Sequence, residues 1–107
     1  MYIKRIDLFG FKTFADKTVL DFGDGVTCVV GPNGSGKSNI ADALLWVLGE
    51  NNVRNLRATY NTDVIFSGTD KRRPLGFAEV TLTMDNSDRT LPIDYHEVAV
   101  TRRIYRS

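Results

Sequence analysis

The stretch VTCVVGPNGSGKSNIADALLWVLGE, residues 26–50, joins two apolar runs through eight small and polar residues. Its first five residues are mostly β-branched, which favours a short buried strand. Beyond the polar residues, apolar side chains recur at the i, i+3, i+4, i+7, i+8 spacing of one helical face, and Gly49 stands where a helix would end. These apolar positions are Ile40, Ala43, Leu44, Val47 and Leu48. A strand, a tight loop and a helix in this order predict an α/β fold.

The eight residues between the predicted strand and helix match the phosphate-loop pattern G-x-x-x-x-G-K-[ST]. Consecutive N–H groups converge on an anion only where the backbone takes conformations that side chains disfavour, which accounts for the three glycines. Lys37 is expected to reach the β and γ phosphate oxygens, and the Ser38 hydroxyl to ligate Mg²⁺. A tight turn without a ligand would explain the glycines but not the lysine. The pattern comprises Gly31, Pro32, Asn33, Gly34, Ser35, Gly36, Lys37 and Ser38.

The remaining segments predict mainly antiparallel strands. YIKRIDLF (2–9) and TVLDF (18–22) alternate with period two, and the short GDG spacer after them favours an antiparallel meander leading into VTCVV. FAEVTLTMDN (77–86) and HEVAVTRRIYRS (96–107) predict a hairpin of two longer strands. Residues 50–63 are predicted to form an irregular loop leading into a short strand at residues 63–66, DVIF, and residues 67–76 a second loop.

The composition is that of one soluble domain: 107 residues, 42% hydrophobic and 25% charged. A net charge of +1 provides no overall basic field for nucleic acid, and no apolar run approaches the roughly 20 residues of a membrane span. A cytoplasmic protein without membrane contact is expected. Cys28 is the single cysteine of the sequence, so it has no partner for an internal disulfide. Because His96 is the single histidine, a metal site or a Ser-His-Asp arrangement is implausible. Because the sequence stops within a predicted strand, we expect a fragment.

Beyond the phosphate loop, further blocks resemble the N-terminal half of the ATPase head of SMC proteins, the chromosome-organising ATPases, above all the bacterial type. The blocks are FKTFADKTVLDFGDGVTCVV, GPNGSGKSN, ADALLWVLGE, DVIFSG, AEVTLTMDNSD and LPIDYHEVAVTRRIYRS, and they cover nearly the whole chain. The resemblance implies an α/β P-loop NTPase of the ABC-ATPase type. Residues 1–107 would be an incomplete N-terminal half-head with an antiparallel β-subdomain, without the coiled coil, the hinge and the C-terminal half-head.

The same resemblance implies the cofactors ATP and Mg²⁺. The family's Walker B acidic pair, signature motif and glutamine loop do not occur in this sequence, so hydrolysis is expected only of the full-length protein. The implied partners are DNA, the C-terminal half-head of the same chain, a second copy of the full-length protein and kleisin-type regulatory subunits. The implied function is chromosome condensation and segregation on the nucleoid, driven by ATP-dependent head engagement.

Residue by residue, the resemblance places Lys12 close to the nucleotide, and it makes Arg57 an arginine that reaches the phosphates and stabilises charge during phosphoryl transfer. Lys37 and Arg57 are the implied catalytic residues, and Ser38 is the implied metal ligand. Thr13 replaces a serine of the family pattern, Ala58 a common glycine, and Tyr60 a residue that is often basic. The implied nucleotide contacts are Lys12, Pro32, Asn33, Gly34, Ser35, Gly36, Lys37, Ser38 and Asn39.

Other interpretations remain open at this stage. A DNA-repair ATPase with the same head and coiled-coil plan would carry the same loop, and a non-catalytic structural or interaction module would use its sheet edge to pair with another chain. A P-loop kinase or GTPase is disfavoured because the N-K-x-D pattern is absent. The loop cations Lys71, Arg72 and Arg73 are interpreted as solvated rather than DNA-binding. Arg102, Arg103 and Arg106 have no acid nearby in sequence, and alternation places Arg103 on the opposite face from the other two.

Overall fold

A computed structural model describes residues 1–22 and 35–106, with only the backbone described for residues 35–37. The described strands are β1 (Tyr2–Phe9), β2 (Thr18–Asp21), β3 (Phe77–Asp85) and β4 (Glu97–Tyr105). They form an antiparallel sheet in the order β2-β1-β3-β4. The helix α1 (Ser35–Val47) and two 3-10 helices (Val53–Leu56 and Asn61–Val64) lie between β2 and β3 in sequence. The predicted strand at residues 26–30 lies outside the described residues.

The strands form where period-two alternation predicts them. In β1, Ile6 lies opposite Leu20 of β2 on one side and Leu82 of β3 on the other. Ile6 and Leu8 point to the same face, are 0% and 1% exposed, and pack into one core with side chains of α1. β3 and β4 pair without a slip over all nine residues, from Phe77 opposite Tyr105 to Asp85 opposite Glu97, so the predicted hairpin is confirmed.

Helix α1 buries the predicted apolar face, although that face ends one position earlier than expected. Ile40, Ala43 and Val47 are buried, whereas Leu48 follows the last helical residue and is 63% exposed. The chain leaves the helix at Gly49, whose φ of +110° is in the left-handed region that favours glycine.

Trp46 adds the largest side chain of α1 to the core. It is 3% exposed and its ring lies 5.4 Å from that of Phe11 at an interplanar angle of 39°. A tilted arrangement at this distance is favourable for aromatic pairs, and burial of such side chains contributes roughly 1.5–3 kcal/mol each. Trp46 therefore packs the C-terminal half of the helix against the turn that follows β1.

The predicted short strand at residues 63–66 is wrong, and the preceding loop is more regular than predicted. Residues 53–56 and 61–64 form the two 3-10 helices, and Ile65 makes an isolated bridge with Phe11. The carboxylate of Asp63 accepts the backbone N–H of Thr59 at 3.0 Å and of Tyr60 at 2.8 Å, which closes a turn directly before the apolar residues. These apolar residues, Val64, Ile65 and Phe66, are buried in the core, and among residues 1–22 and 35–106 their one β-pairing is the isolated bridge of Ile65 with Phe11.

The turn between β1 and β2 depends on a close backbone approach at Gly10. Its φ is +68°, and a Cβ there would lie 2.4 Å from the Phe77 carbonyl oxygen. The amide of Lys12, two residues on, donates to the Val64 carbonyl at 2.7 Å and so connects this turn to the second 3-10 helix. Residues 67–76 form a loop, as predicted. Within residues 1–22 and 35–106, no helix has the length and apolar character needed to cross a membrane.

Candidate functional site

A buried carboxylate on α1 holds two cations from other segments. The Asp42 side chain is 8% exposed, and its Oδ2 accepts the Lys12 Nζ at 2.8 Å. The same oxygen accepts the Arg57 Nη2 at 2.6 Å and Nε at 3.2 Å. Burial of a carboxylate is costly unless the charge is paired and hydrogen-bonded, and here both conditions are met. Two cations share one carboxylate, so these three side chains together carry excess positive charge.

Asn39 lies one helical turn before Asp42 and completes the charged cluster, which we define as Lys12, Thr13, Asn39, Asp42 and Arg57. The Asn39 side chain is buried, with its Oδ1 accepting the Arg57 Nη2 at 3.1 Å and its Nδ2 donating to the Thr13 Oγ1 at 2.9 Å. A serine hydroxyl could accept the same hydrogen bond, so the replacement of the family's serine by Thr13 preserves this contact. Asn39 thus ties two separate segments to the helix.

Both cations sit on unusual backbone. Lys12 has φ +50° and Arg57 has φ +57°, in the left-handed region that non-glycine residues adopt at a cost of about 1–3 kcal/mol. Arg57 ends the first 3-10 helix, where its N–H donates to the Arg54 carbonyl at 3.1 Å. The Lys12 Nζ also donates to the Leu56 carbonyl. Residues held in this region concentrate at functional sites, because the surrounding structure must stabilise them.

The start of α1 suits an anion. The helix begins at Ser35, so the backbone of Ser35, Gly36 and Lys37 forms its first turn, and no acidic residue occurs in that turn. The N–H groups of a first helical turn are unpaired within the helix, and the helix dipole is positive there. Ser38 follows on the helix and is exposed. An exposed hydroxyl beside a turn free of carboxylates fits a phosphate and its divalent cation.

Three of the predicted site residues, Lys12, Asn39 and Arg57, meet in the charged cluster although they come from three segments of the chain. Their contact with a nucleotide remains a prediction, and the Asn39 amide is already engaged by Thr13 and Arg57. Residues 31–34 of the predicted loop, which include Pro32, Asn33 and Gly34, lie outside the described residues.

Asp42, on which the cluster is centred, was not among the residues predicted from the sequence. The sequence carried little signal for it, because Asp42 lies about 200° around the helix from Ile40, away from the predicted apolar face and on the side of Asn39 and Trp46. The structure nevertheless buries the Asp42 carboxylate, and a buried carboxylate needs a cation. Across residues 1–22 and 35–106, no group of three or more His, Cys, Asp or Glu residues is placed to hold a metal ion.

The other basic residues have contacts of their own. Arg103 pairs with Glu79 of β3 at 2.6 Å on one face of the sheet, whereas Arg102 faces α1, so the predicted separation of these two arginines is confirmed. The Arg102 Nη1 donates to the carbonyls of Trp46 at 2.7 Å and Glu50 at 2.9 Å. In the loop of residues 67–76, Arg72 pairs with Asp16 at 2.8 Å.

Comparison with known proteins assigns the chain to a family. The profile described as RecF/RecN/SMC N terminal domain matches residues 2–107. The chain belongs to this SMC N-terminal domain family. The SMC chain is 62% identical over all its 107 residues to the chromosome partition protein Smc of Bacillus subtilis (strain 168), and it spans 9% of that protein's length.

Solved SMC structures share the fold. A chain from work on ATP-driven dimerization and DNA-stimulated activation of SMC ATPases matches with a TM-score of 0.92 and 45% identity, over 98% of this chain and 64% of that one. An Smc head domain from Pyrococcus furiosus, with an extended coiled coil and bound to the C-terminal domain of ScpA, matches with a TM-score of 0.89 and 46% identity, over 97% and 26%. The predicted fold, the N-terminal part of an SMC ATPase head of the ABC type with an antiparallel sheet, is confirmed.

Proposed function

We propose that this chain is the nucleotide-binding portion of a chromosome-partition ATPase of the SMC family. The observation that carries the proposal is the charged cluster: Lys12 and Arg57, 45 positions apart in sequence, both bond to Asp42 on the helix that follows the phosphate-loop pattern. The identity of 62% to a chromosome partition protein favours this role over DNA repair.

The proposed ligand is ATP with Mg²⁺, held by the backbone amides of residues 31–38, by the Lys37 ammonium and by the Ser38 hydroxyl. When bound, ATP supplies the phosphoryl group that is transferred to water. Around it, the chain's own contribution is positive charge: the Arg57 side chain is 55% exposed, and among the described residues its Nη1 has no hydrogen-bond partner. A guanidinium held along one edge with a free donor on the other suits a phosphate oxygen.

We further propose that the 107-residue chain binds ATP without hydrolysing it. The acidic residues and signature motif that the family uses for hydrolysis do not occur in this sequence, so turnover would require the full-length protein with its C-terminal half-head and a second copy. DNA and a kleisin-type subunit are the proposed further partners. The Pyrococcus furiosus relative bound to ScpA supports the kleisin, and the DNA-stimulated activation of SMC ATPases supports DNA. The proposed location is the cytoplasm, on the nucleoid.

Isothermal titration calorimetry of the chain with ATP and Mg²⁺ tests the nucleotide site. Lys37→Ala should weaken ATP binding at least about tenfold, because it removes charge-assisted hydrogen bonds of roughly 1.5–3 kcal/mol. The matched control is Lys71→Ala, which removes an exposed lysine from the loop of residues 67–76 and should leave the affinity within about twofold. Equal affinities for the wild type and the Lys37→Ala variant would refute the proposed site.

A further inference from the structure

We propose that Asp42 is a positioning residue for nucleotide hydrolysis, which holds the Arg57 guanidinium in place for the transition state. The inference rests on the proposed function, because it assigns to Asp42 the placement of a group that would contact the phosphates. Asp42 itself is buried and acts through Arg57, so it need not touch the nucleotide.

The contacts on Arg57 are directional. Asp42 takes Nε and Nη2, which form one edge of the guanidinium, and Asn39 takes Nη2 again. Among the described residues, Nη1 at the opposite corner has no hydrogen bond, and 55% of the side chain is exposed. This salt bridge fixes half of a planar fork and leaves the other half accessible to a further acceptor.

The backbone supports the same interpretation. Arg57 has φ +57°, an unfavourable conformation for an arginine, and the side-chain contacts with α1 are the ones that hold it against the helix. Without the carboxylate, the long Arg57 side chain would gain rotamer freedom at a surface position. The guanidinium would then reach a phosphate oxygen in only a fraction of its conformations.

Asp42 pairs with Lys12 as well as with Arg57. The Lys12 side chain is 12% exposed, and Asp42 supplies its carboxylate contact at 2.8 Å. Because the Asp42 carboxylate contacts both cations, its negative charge offsets part of their mutual repulsion and allows both to lie against the helix. Asp42 therefore sets the position of Arg57 both directly and by offsetting the repulsion from Lys12.

Steady-state ATP hydrolysis by the full-length protein tests the proposal through Asp42→Asn. We expect kcat to fall about tenfold, because a catalytic group displaced by about 1 Å loses much of its effect. The KM for ATP should stay within about threefold, since the phosphate loop and Lys37 provide ground-state binding. Asp70→Asn, which changes an exposed carboxylate in the loop of residues 67–76, is the matched control and should keep the wild-type kcat.

The Arg57→Ala background separates positioning from a general structural effect. If Asp42 acts through Arg57, adding Asp42→Asn to Arg57→Ala should lower kcat by less than about twofold further. An unchanged kcat in the Asp42→Asn single variant, or a full tenfold loss in the Arg57→Ala background, would overturn the proposal. The nucleotide site itself is judged separately by the effect of Lys37→Ala on ATP binding, so the two ideas fail on different measurements.

The role of Asp42 can be tested even if the Asp42→Asn variant is unstable. Asp42→Asn leaves the Lys12 ammonium buried without its carboxylate, which is the expected source of instability. Lys12→Met removes that charge, so Lys12→Met/Asp42→Asn can be compared with Lys12→Met alone. We expect kcat to be about tenfold lower in the double variant than in Lys12→Met alone. Equal kcat values for these two variants would contradict the proposal.

Discussion

Arg102→Ala should lower the free energy of unfolding of the chain by about 3 kcal/mol. Arg102 projects from β4 to the C-terminal end of α1, where Nη1 donates to the Trp46 and Glu50 carbonyls at 2.7 and 2.9 Å and Nη2 donates to the Asn51 Oδ1 at 3.0 Å. Its guanidinium carbon lies 4.8 Å from the centroid of the Trp46 ring. No other contact among the described residues joins β4 to the end of this helix through so many donors.

The magnitude follows from three contributions. A hydrogen bond from a charged donor contributes about 1.5–3 kcal/mol, a cation at a helix C-terminus about 0.3–1 kcal/mol, and a cation above an aromatic ring about 0.5–2 kcal/mol. Arg102 is half-buried, and contributions from one side chain are not additive, so the expected total is near 3 kcal/mol rather than their full sum. Arg102→Lys keeps the charge but loses the fork, and it should cost about half as much.

Urea unfolding followed by far-UV circular dichroism measures the effect. With a slope of about 2 kcal/mol per molar urea, a loss of 3 kcal/mol lowers the midpoint by about 1.5 M. The neighbouring Arg103 is the matched control: it forms an exposed pair with Glu79, so Arg103→Ala should cost no more than about 1 kcal/mol. Equal midpoints for the Arg102→Ala and Arg103→Ala variants would refute the capping role of Arg102.

Two further predictions concern the pH dependence of stability at Asp88 and the steric space at Gly10. Bonds from the N-terminal ammonium and from Thr90 lower the pKa of Asp88 to about 2, so its stabilisation is complete above an unfolded pKa of 3.8 and is lost as the pH falls through about 2. Asp88→Asn should therefore flatten the pH dependence of the unfolding midpoint between about pH 2 and 4, and an unchanged slope would contradict this origin. Gly10→Ala should destabilise the chain by on the order of 3 kcal/mol in urea unfolding, because its Cβ would lie 2.4 Å from the Phe77 carbonyl oxygen. Gly76→Ala, with nothing within 4 Å, should change stability by less than about 1 kcal/mol.

The parts of the fold that were predictable are those where a periodic pattern meets a single buried face. In β1, the alternation of Ile6 and Leu8 with polar residues determines which side of the strand meets the core. In α1, the spacing of Ile40, Ala43 and Val47 does the same for the helix. The strand predicted at residues 63–66 was misassigned because the short buried run of residues 64–66 has no period of its own, and the turn closed by Asp63 is a tertiary detail.

The candidate site was predictable as a set of residue types but not as an arrangement. The family resemblance identified Lys12, Asn39 and Arg57, yet it did not show that one carboxylate would join them. That role belongs to Asp42, and it depends on the β1–β2 turn and the first 3-10 helix both packing against α1. Contacts between segments so far apart in sequence are decided by packing, which local patterns do not encode.

The position of β1 in the sheet has a consequence for synthesis on the ribosome. Among the described strands β1 comes first in sequence, but it lies in the interior of the sheet, with β3 pairing to it some 75 residues later: Phe9 lies opposite Glu79 and Tyr2 opposite Asp85. Its apolar residues must therefore wait, partly unpaired, until β3 has emerged, and closing so long a loop slows folding. During that interval a nascent strand with an open edge is vulnerable to wrong partners, which makes early chaperone contact with the N-terminus advantageous.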